Sequence, residues 1–179
     1  MNLKKNKLET VLLAASAAMI TNAAEVNVNG DFSKATPGAE HPLRWSENAA
    51  AAKGKTVIES GVQDSLPVYR ITTNEKRIYS FCKNSIETKS GDTLKITVKA
   101  SGAGKFMLQF ALFGENKTPL GRLNTSLFAV KQGMSDYTAT VRINSKKGGD
   151  VQSALMTLIV QPSSNISFRS IKVENISGK

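Results

Sequence analysis

The chain has 179 residues, with 24 lysines and arginines against 14 aspartates and glutamates, which gives a formal net charge of +10. Its 40% hydrophobic and 21% charged residues exclude a fibrous or wholly disordered protein, and its length fits one domain with a proper core. The single cysteine, Cys82, excludes an intramolecular disulfide, and its place in an apolar strand pattern predicts a buried, unreactive thiol.

The first 23 residues have the pattern of a signal peptide. Met1 to Lys7 is basic, Val11 to Ile20 is a short apolar run, and Thr21 to Ala23 offers small residues for cleavage. A membrane-spanning helix needs roughly 20 apolar residues, which is more than this run contains. We predict a signal peptide at 1–23, a mature domain at 24–179, and a secreted, periplasmic or cell-surface protein. The alternative, an amphipathic N-terminal helix that belongs to the fold, stays open.

The mature chain is a succession of short segments in which apolar and polar residues alternate, as they do in half-buried strands. Glu25 to Phe32 is the first extended segment, and the four alanines at 49–52 are too few for a stable helix. Further strand patterns recur at 56–60, 67–73, 77–83, 85–89, 94–98, 106–112, 123–130, 135–143, 154–160 and 166–176. Because this spacing is typical of sandwiches and no convincing amphipathic helix appears, we predict an all-β, antiparallel two-sheet β-sandwich.

The two clearest strand signals lie at the centre of the chain, at 94–98 and 106–112. Ser101 to Gly104 separates them, and a glycine-containing loop of this length favours a hairpin. We therefore predict that these two runs pair with each other. The continuous apolar run from Ala154 to Val160 predicts a strand that is covered on both sides.

Four stretches carry a family likeness: Asn29 to Phe32 (NGDF), Pro42 to Trp45 (PLRW), Tyr79 to Ala100, and Ile171 to Ile176 (IKVENI). In these stretches the chain resembles galactose-binding-like jelly-roll domains, and among them the carbohydrate-binding modules of xylanases and cellulases. The resemblance implies a jelly-roll sandwich that binds carbohydrate without catalysis.

The same resemblance implies a structural calcium ion, for which Asp31 and Glu174 are the candidate ligands. The chain departs from the family pattern at Ser33, Ser90 and Glu174, where relatives often have Glu, Pro and Asp. Apart from this calcium, we expect no cofactor.

Sugar binding needs an aromatic platform for the apolar face of the ring and planar polar side chains for its hydroxyls. Strand periodicity favours core positions for Tyr69 and Tyr137, whereas Trp45 is open to either role. The predicted ligand-binding residues are Trp45, Arg70, Tyr79, Gln109 and Arg122.

Reactive groups are sparse in this sequence. The only histidine, His41, lies beside a proline, which argues against His-based metal clusters and Ser-His or Cys-His pairs. Lysines and arginines occur in short pairs, without an Arg-rich helix or an aromatic-studded RNA-binding signature, so we expect no nucleic-acid partner.

The leading hypothesis is a secreted, non-catalytic carbohydrate-binding module that does not insert into a membrane. Its expected partner is a polysaccharide or glycan, and a separate enzyme or surface protein is a further candidate. One alternative is a structural or adhesive cell-surface β-sandwich that contacts protein or acidic glycan. Another is a small hydrolase, which needs two carboxylates that converge in a cleft.

Overall fold

A computed structural model describes residues 23–34, 36–48, 54–60, 66–145 and 147–177. The predicted signal peptide lies outside these residues except for Ala23, and the four-alanine segment at 49–52 also lies outside them. Both therefore stay predictions. Within the described ranges, no helix is long and apolar enough to cross a membrane.

The described residues form eleven strands and a 3-10 turn at Glu115–Lys117. The strands are β1 Ala24–Val26, β2 Trp45–Glu47, β3 Gly54–Ser60, β4 Pro67–Thr73, β5 Ile78–Glu87, β6 Thr93–Phe113, β7 Pro119–Asn124, β8 Phe128–Val130, β9 Ser135–Arg142, β10 Ser153–Val160 and β11 Asn165–Asn175. Two sequence predictions differ in their boundaries: 77–83 and 85–89 belong to the single strand β5, whereas 123–130 is divided between β7 and β8.

The strands form two antiparallel layers that share β6. Sheet 1 contains β3, β4, β11, the first half of β6 and β9, with β1 beside β11. Sheet 2 contains β2, β5, β10, the second half of β6 and β7, with β8 also beside β6. The predicted antiparallel two-sheet β-sandwich is thereby confirmed, and the apolar run at 154–160 is the strand between β5 and β6.

The predicted hairpin at the centre of the chain is wrong. Its two runs are halves of one 21-residue strand, β6, which pairs with β11 in sheet 1 and then with β10 in sheet 2. Gly102 and Gly104 permit this change of sheet because their φ angles of 124° and 116° are strained for residues that carry a Cβ. At Gly102 a Cβ would lie 2.2 Å from the carbonyl oxygen of Asn165 on β11. The glycines therefore turn the strand from one layer to the other without reversing it.

The inward side chains of both sheets form one hydrophobic core. At one end, the rings of Phe32, Trp45 and Tyr69 lie within 5.7–6.3 Å of one another, and each ring is at most 1% exposed. The core position predicted for Tyr69 is therefore confirmed. Tyr137 is half-buried and packs edge-on against Phe106, with ring centroids 5.6 Å apart.

Cys82 is a free, buried cysteine, as the sequence predicts. Burial raises the pKa of its thiol, although a hydrogen bond with the backbone of Asn84 acts in the opposite direction. A raised pKa leaves little thiolate near neutral pH, so this residue is a packing group of the core.

Candidate functional site

The outer face of sheet 2 brings together side chains from four neighbouring strands. The register places Phe81 of β5 opposite Thr157 of β10, Thr157 opposite Gln109 of β6, and Gln109 opposite Asn124 of β7. Phe106, Leu108 and Phe110 point into the core, and because successive side chains alternate, Gln109 points outward. One row of outward side chains therefore crosses the sheet.

Two aromatic rings form one side of this surface. Tyr79 and Phe81 are two residues apart on β5, so both point outward, whereas the intervening Ser80 is fully buried. Their ring centroids lie 6.5 Å apart and their planes differ by only 16°. Phe81 remains 38% exposed, which leaves its ring accessible to a ligand.

Polar side chains form the opposite side. The Gln109 Nε2 donates to Asn124 Oδ1 at 3.0 Å, which holds both amides in a defined orientation. Arg122 on β7 is exposed and lies opposite Ala111 of β6. Among the described residues, none forms a hydrogen bond or ion pair with its guanidinium group. Arg122 is thus available to a ligand.

Between these sides lies a groove of about 390 Å³, which we call the sheet-2 groove. Three inter-strand steps of about 4.8 Å separate β5 from β7, so the groove is about 14 Å wide. This width accommodates a chain-like ligand across the sheet. The lining residues are Asn48, Tyr79, Phe81, Gln109, Ala111, Arg122, Leu155 and Thr157.

The structure brings three of the predicted ligand-binding residues together in this groove: Tyr79, Gln109 and Arg122. Their role in binding stays a prediction, but the side chains share one surface.

Trp45 and Arg70 lie elsewhere, and the structure does not support their predicted role. The Trp45 ring is 1% exposed, packs in the core and donates from Nε1 to the Val28 carbonyl oxygen at 3.1 Å, so it offers no free face to a sugar. Arg70 lies on sheet 1, where it pairs with Glu59 at 2.8 Å and donates to Ser167 at 3.2 Å.

Sequence reasoning missed the exposed ring of Phe81. The signal was present, because Phe81 alternates with Ile78, Ser80 and Cys82 in the same phase as Tyr79. Thr157 and Leu155 had no such signal, because the uniformly apolar β10 does not indicate which of its residues point outward.

Asp31 and Glu174 both interact with other groups of the protein, and their role as calcium ligands stays a prediction. The described residues contain no group of three or more His, Cys, Asp or Glu side chains that could hold a metal ion. Asp31 Oδ1 instead accepts hydrogen bonds from the backbone and hydroxyl of Ser33, at 3.0 and 2.8 Å. Glu174 pairs with Lys172 at 3.3 Å, and this hydrogen bond and charge raise the pKa of Lys172.

No protein-family model matches the chain, and no match was found among curated protein sequences. Solved structures do match. An arabinose-bound α-L-arabinofuranosidase, MgGH51, superposes with a TM-score of 0.60 at 11% identity over 86% of this chain. The match covers only 26% of the enzyme, so the chain spans about a quarter of that protein.

Two other structures match along nearly their whole length. The CBM22-1 xylan-binding domain of Paenibacillus barcinonensis Xyn10C has a TM-score of 0.54 at 8% identity, covering 84% of this chain and 94% of that domain. The Stig cyclase Fisc from Fischerella sp. TAU has a TM-score of 0.59 at 12% identity, covering 86% of this chain and 98% of the cyclase. At such identities the likeness establishes the fold alone: this chain has the jelly-roll β-sandwich fold that the xylan-binding domain and the cyclase share.

Proposed function

We propose that this protein binds glycan chains, without catalysis, in the sheet-2 groove. The observation that carries the proposal is the convergence on one open surface of two nearly parallel rings, the half-buried Tyr79 and the exposed Phe81, with fixed amide groups and an unpaired guanidinium. The apolar face of a sugar ring stacks on Tyr79 and Phe81, which removes both surfaces from water. Gln109 and Arg122 donate hydrogen bonds to its hydroxyl groups.

The similar structures support the glycan class of ligand. One is described as a xylan-binding domain, and another is an arabinofuranosidase with arabinose bound. The cyclase shows that the same fold also occurs in an enzyme, so the fold does not by itself exclude catalysis.

The composition of the groove supports a binding role. Its described lining residues include no Asp, Glu, His or Cys. Glycoside hydrolysis commonly needs two carboxyl groups that flank the scissile bond, and general acid–base chemistry needs a titratable group near its working pH. The groove can therefore hold and orient a sugar, but its described lining supplies no pair of carboxyl groups and, apart from the Tyr79 hydroxyl, no acid or base.

The predicted leader supports an extracellular, periplasmic or cell-surface site of action, where polysaccharides are met. We propose that the protein acts there on glycan surfaces, either by itself or beside a separate enzyme.

A glycan array followed by isothermal titration calorimetry tests the proposal. Covering about 50 Å² of ring at about 25 cal/mol/Å² is worth about 1.3 kcal/mol, or roughly tenfold in affinity per ring. We therefore expect Tyr79→Ala and Phe81→Ala each to weaken binding by about tenfold.

Met134→Ala is the matched control, because Met134 is 44% exposed, apolar and not part of the groove lining. It should leave the affinity unchanged. The proposal is wrong if the array shows no glycan binding, or if the two ring variants bind as tightly as the control.

A further inference from the structure

The aromatic side of the sheet-2 groove continues into a basic surface. Lys83 follows Phe81 by two residues on β5 and is exposed, at the point where β5 bulges away from its regular pairing with β10. The backbone N–H of Lys83 donates to the carbonyl oxygen of Arg44 at 2.7 Å, which places Arg44 beside Lys83 at the edge of the sheet. Two cations therefore stand at the end of the aromatic surface.

A third cation, Lys34, reaches the same place from the loop after β1. The N–H of Leu43 donates to the Lys34 carbonyl oxygen at 3.2 Å, and the buried Asn29 donates from Nδ2 to the Leu43 carbonyl oxygen at 2.8 Å. Asn29 Oδ1 also accepts from the Lys34 N–H, at 3.4 Å. The buried amide thus ties the Lys34 and Arg44 segments together, and we call Lys34, Arg44 and Lys83 the basic cluster.

The basic cluster lines concave surface on both of its sides. One hollow of about 380 Å³ contains all three cations together with Asn27, Asn84 and Ser85. A second hollow of about 680 Å³ shares the same three cations and extends toward His41 and Pro42. The positive charges therefore face accessible cavities in which a ligand can lie.

These charges lack partners among the described residues. The described ion pairs join Arg70 to Glu59 and Lys172 to Glu25 and Glu174, all on sheet 1 or β1, and none involves the basic cluster. Neighbouring like charges repel each other, and an anion bound between them relieves that repulsion.

We infer that the glycan bound by the sheet-2 groove is anionic. Its carboxylate or sulfate groups contact two places: Arg122 within the groove, and the basic cluster that lies beyond Phe81. This inference rests on the proposed glycan-binding function and adds the charge class of the ligand. Neutral parts of the glycan stack on Tyr79 and Phe81, while its anionic groups pair with the cations at the end of the rings. Arg44 favours such groups because a guanidinium binds carboxylate and sulfate oxygens through two parallel hydrogen bonds.

Single-stranded nucleic acid also combines ring stacking with positive charge, but it fits this surface less well. It carries a phosphate at every residue, whereas the described lining of the groove contains a single cation, Arg122, and the other three lie beyond its end. Spaced charges and neutral hydrogen-bonding groups match a sugar polymer that carries an anionic group on some of its rings.

The test compares polymers that share a backbone and differ in charge, titrated calorimetrically into the purified protein. The probes are polygalacturonate with its carboxyl-reduced form, and a sulfated galactan with its desulfated form. We expect one anionic polymer to bind about tenfold more tightly than its neutral counterpart at about 0.05 M NaCl, and the preference to fall at about 0.5 M, where screening is short-ranged. The pair that shows the preference identifies carboxylate or sulfate as the recognised group.

Two triple variants locate the preference on the surface. Lys34→Gln/Arg44→Gln/Lys83→Gln should abolish the tenfold preference, since all three cations that pair with the anionic groups lose their charge. The control Lys95→Gln/Lys99→Gln/Arg142→Gln removes the same charge from sheet 1, where Lys99 and Arg142 are exposed and Lys95 is half-buried, and it should keep the preference.

The outcomes separate this inference from the proposed function. The inference is overturned if both members of each polymer pair bind with equal affinity, or if the two triple variants lose the preference equally. In either case the proposed function stands, provided that Tyr79→Ala/Phe81→Ala still abolishes glycan binding. Anionic binding that survives Tyr79→Ala/Phe81→Ala overturns the proposed function. Binding of none of the four polymers overturns the inference, and the glycan array then decides the proposed function. Tighter binding of oligothymidylate than of any glycan overturns the inference in favour of nucleic acid.

Discussion

The carboxylate of Asp92 connects the turn before β6 to the end of β11, and replacing it should measurably destabilise the fold. Asp92 is 5% exposed, and its Oδ2 accepts hydrogen bonds from Thr88 Oγ1 at 3.1 Å, the Lys89 N–H at 3.0 Å and Asn175 Nδ2 at 2.9 Å. In Asp92→Asn, a neutral amide oxygen replaces an ionised acceptor of nearly the same size.

The magnitude follows from the three hydrogen bonds. A hydrogen bond to a charged group contributes about 1.5–3 kcal/mol, against about 0.5–1.5 kcal/mol for a neutral one. Even if the amide oxygen keeps all three donors, the loss is about 1 kcal/mol per bond, and bonds that share one acceptor are not fully additive. We expect Asp92→Asn to lower the free energy of unfolding by about 2–3 kcal/mol at neutral pH.

The same contacts give the effect a defined pH dependence. Burial opposes ionisation of Asp92, but hydrogen bonds from the Lys89 backbone, Asn175, Thr88 and Ser177 outweigh it and lower the pKa of the carboxyl below its ordinary value. A lowered folded-state pKa stabilises the fold above the unfolded-state pKa of about 3.9, and the stabilisation is lost as the pH falls through the folded-state pKa. The difference between wild type and Asp92→Asn should therefore be constant near neutrality and shrink in acid.

Urea unfolding followed by the fluorescence of the buried Trp45 measures both quantities. Asp136→Asn is the matched control, because Asp136 is exposed on β9 and its replacement should change the stability by less than about 0.5 kcal/mol. A stability difference for Asp92→Asn that is no larger than this control, or that is unchanged between about pH 7 and about pH 3, would refute the reasoning.

Two further substitutions test the core and the change of sheet. Trp45→Ala should lower the free energy of unfolding by about 3–5 kcal/mol, because the ring is 1% exposed. Urea unfolding followed by circular dichroism measures this change. A loss of glycan binding without a loss of stability would contradict the core position of Trp45. Gly102→Ala should cost more than about 3 kcal/mol, since the new Cβ meets the Asn165 carbonyl oxygen at 2.2 Å with φ at 124°. The control is Gly91→Ala, because Gly91 has φ at 91° but an added Cβ there would have no atom within 4 Å. This control should lower the stability by only about 1 kcal/mol. Equal losses of stability in the two variants would show that close packing at Gly102 is unimportant.

The sequence predicted part of the candidate site. Tyr79, Gln109 and Arg122 could be named because they are ring-bearing or planar polar residues on strands or at a strand edge. Trp45 and Arg70 have the same chemistry, yet one lies in the core and the other pairs with Glu59 on sheet 1. Residue type identifies candidates for a site, but it does not determine which of them share a surface.

Alternation along each segment by itself determined the all-β class, the buried faces of β5 and of both halves of β6, and the burial of Cys82, because the side-chain period of two is a local property of extended backbone. Tertiary structure alone decided that Gly102 and Gly104 carry one strand from sheet to sheet, since glycine permits a reversal as readily as a bend and the choice depends on packing against β11. It likewise decided that Tyr79, Phe81, Gln109 and Arg122 meet, because β10 separates β5 from β6 in space although it follows both in the chain. Non-local pairing of this kind is set by the whole hydrophobic core, and no short stretch of sequence contains it.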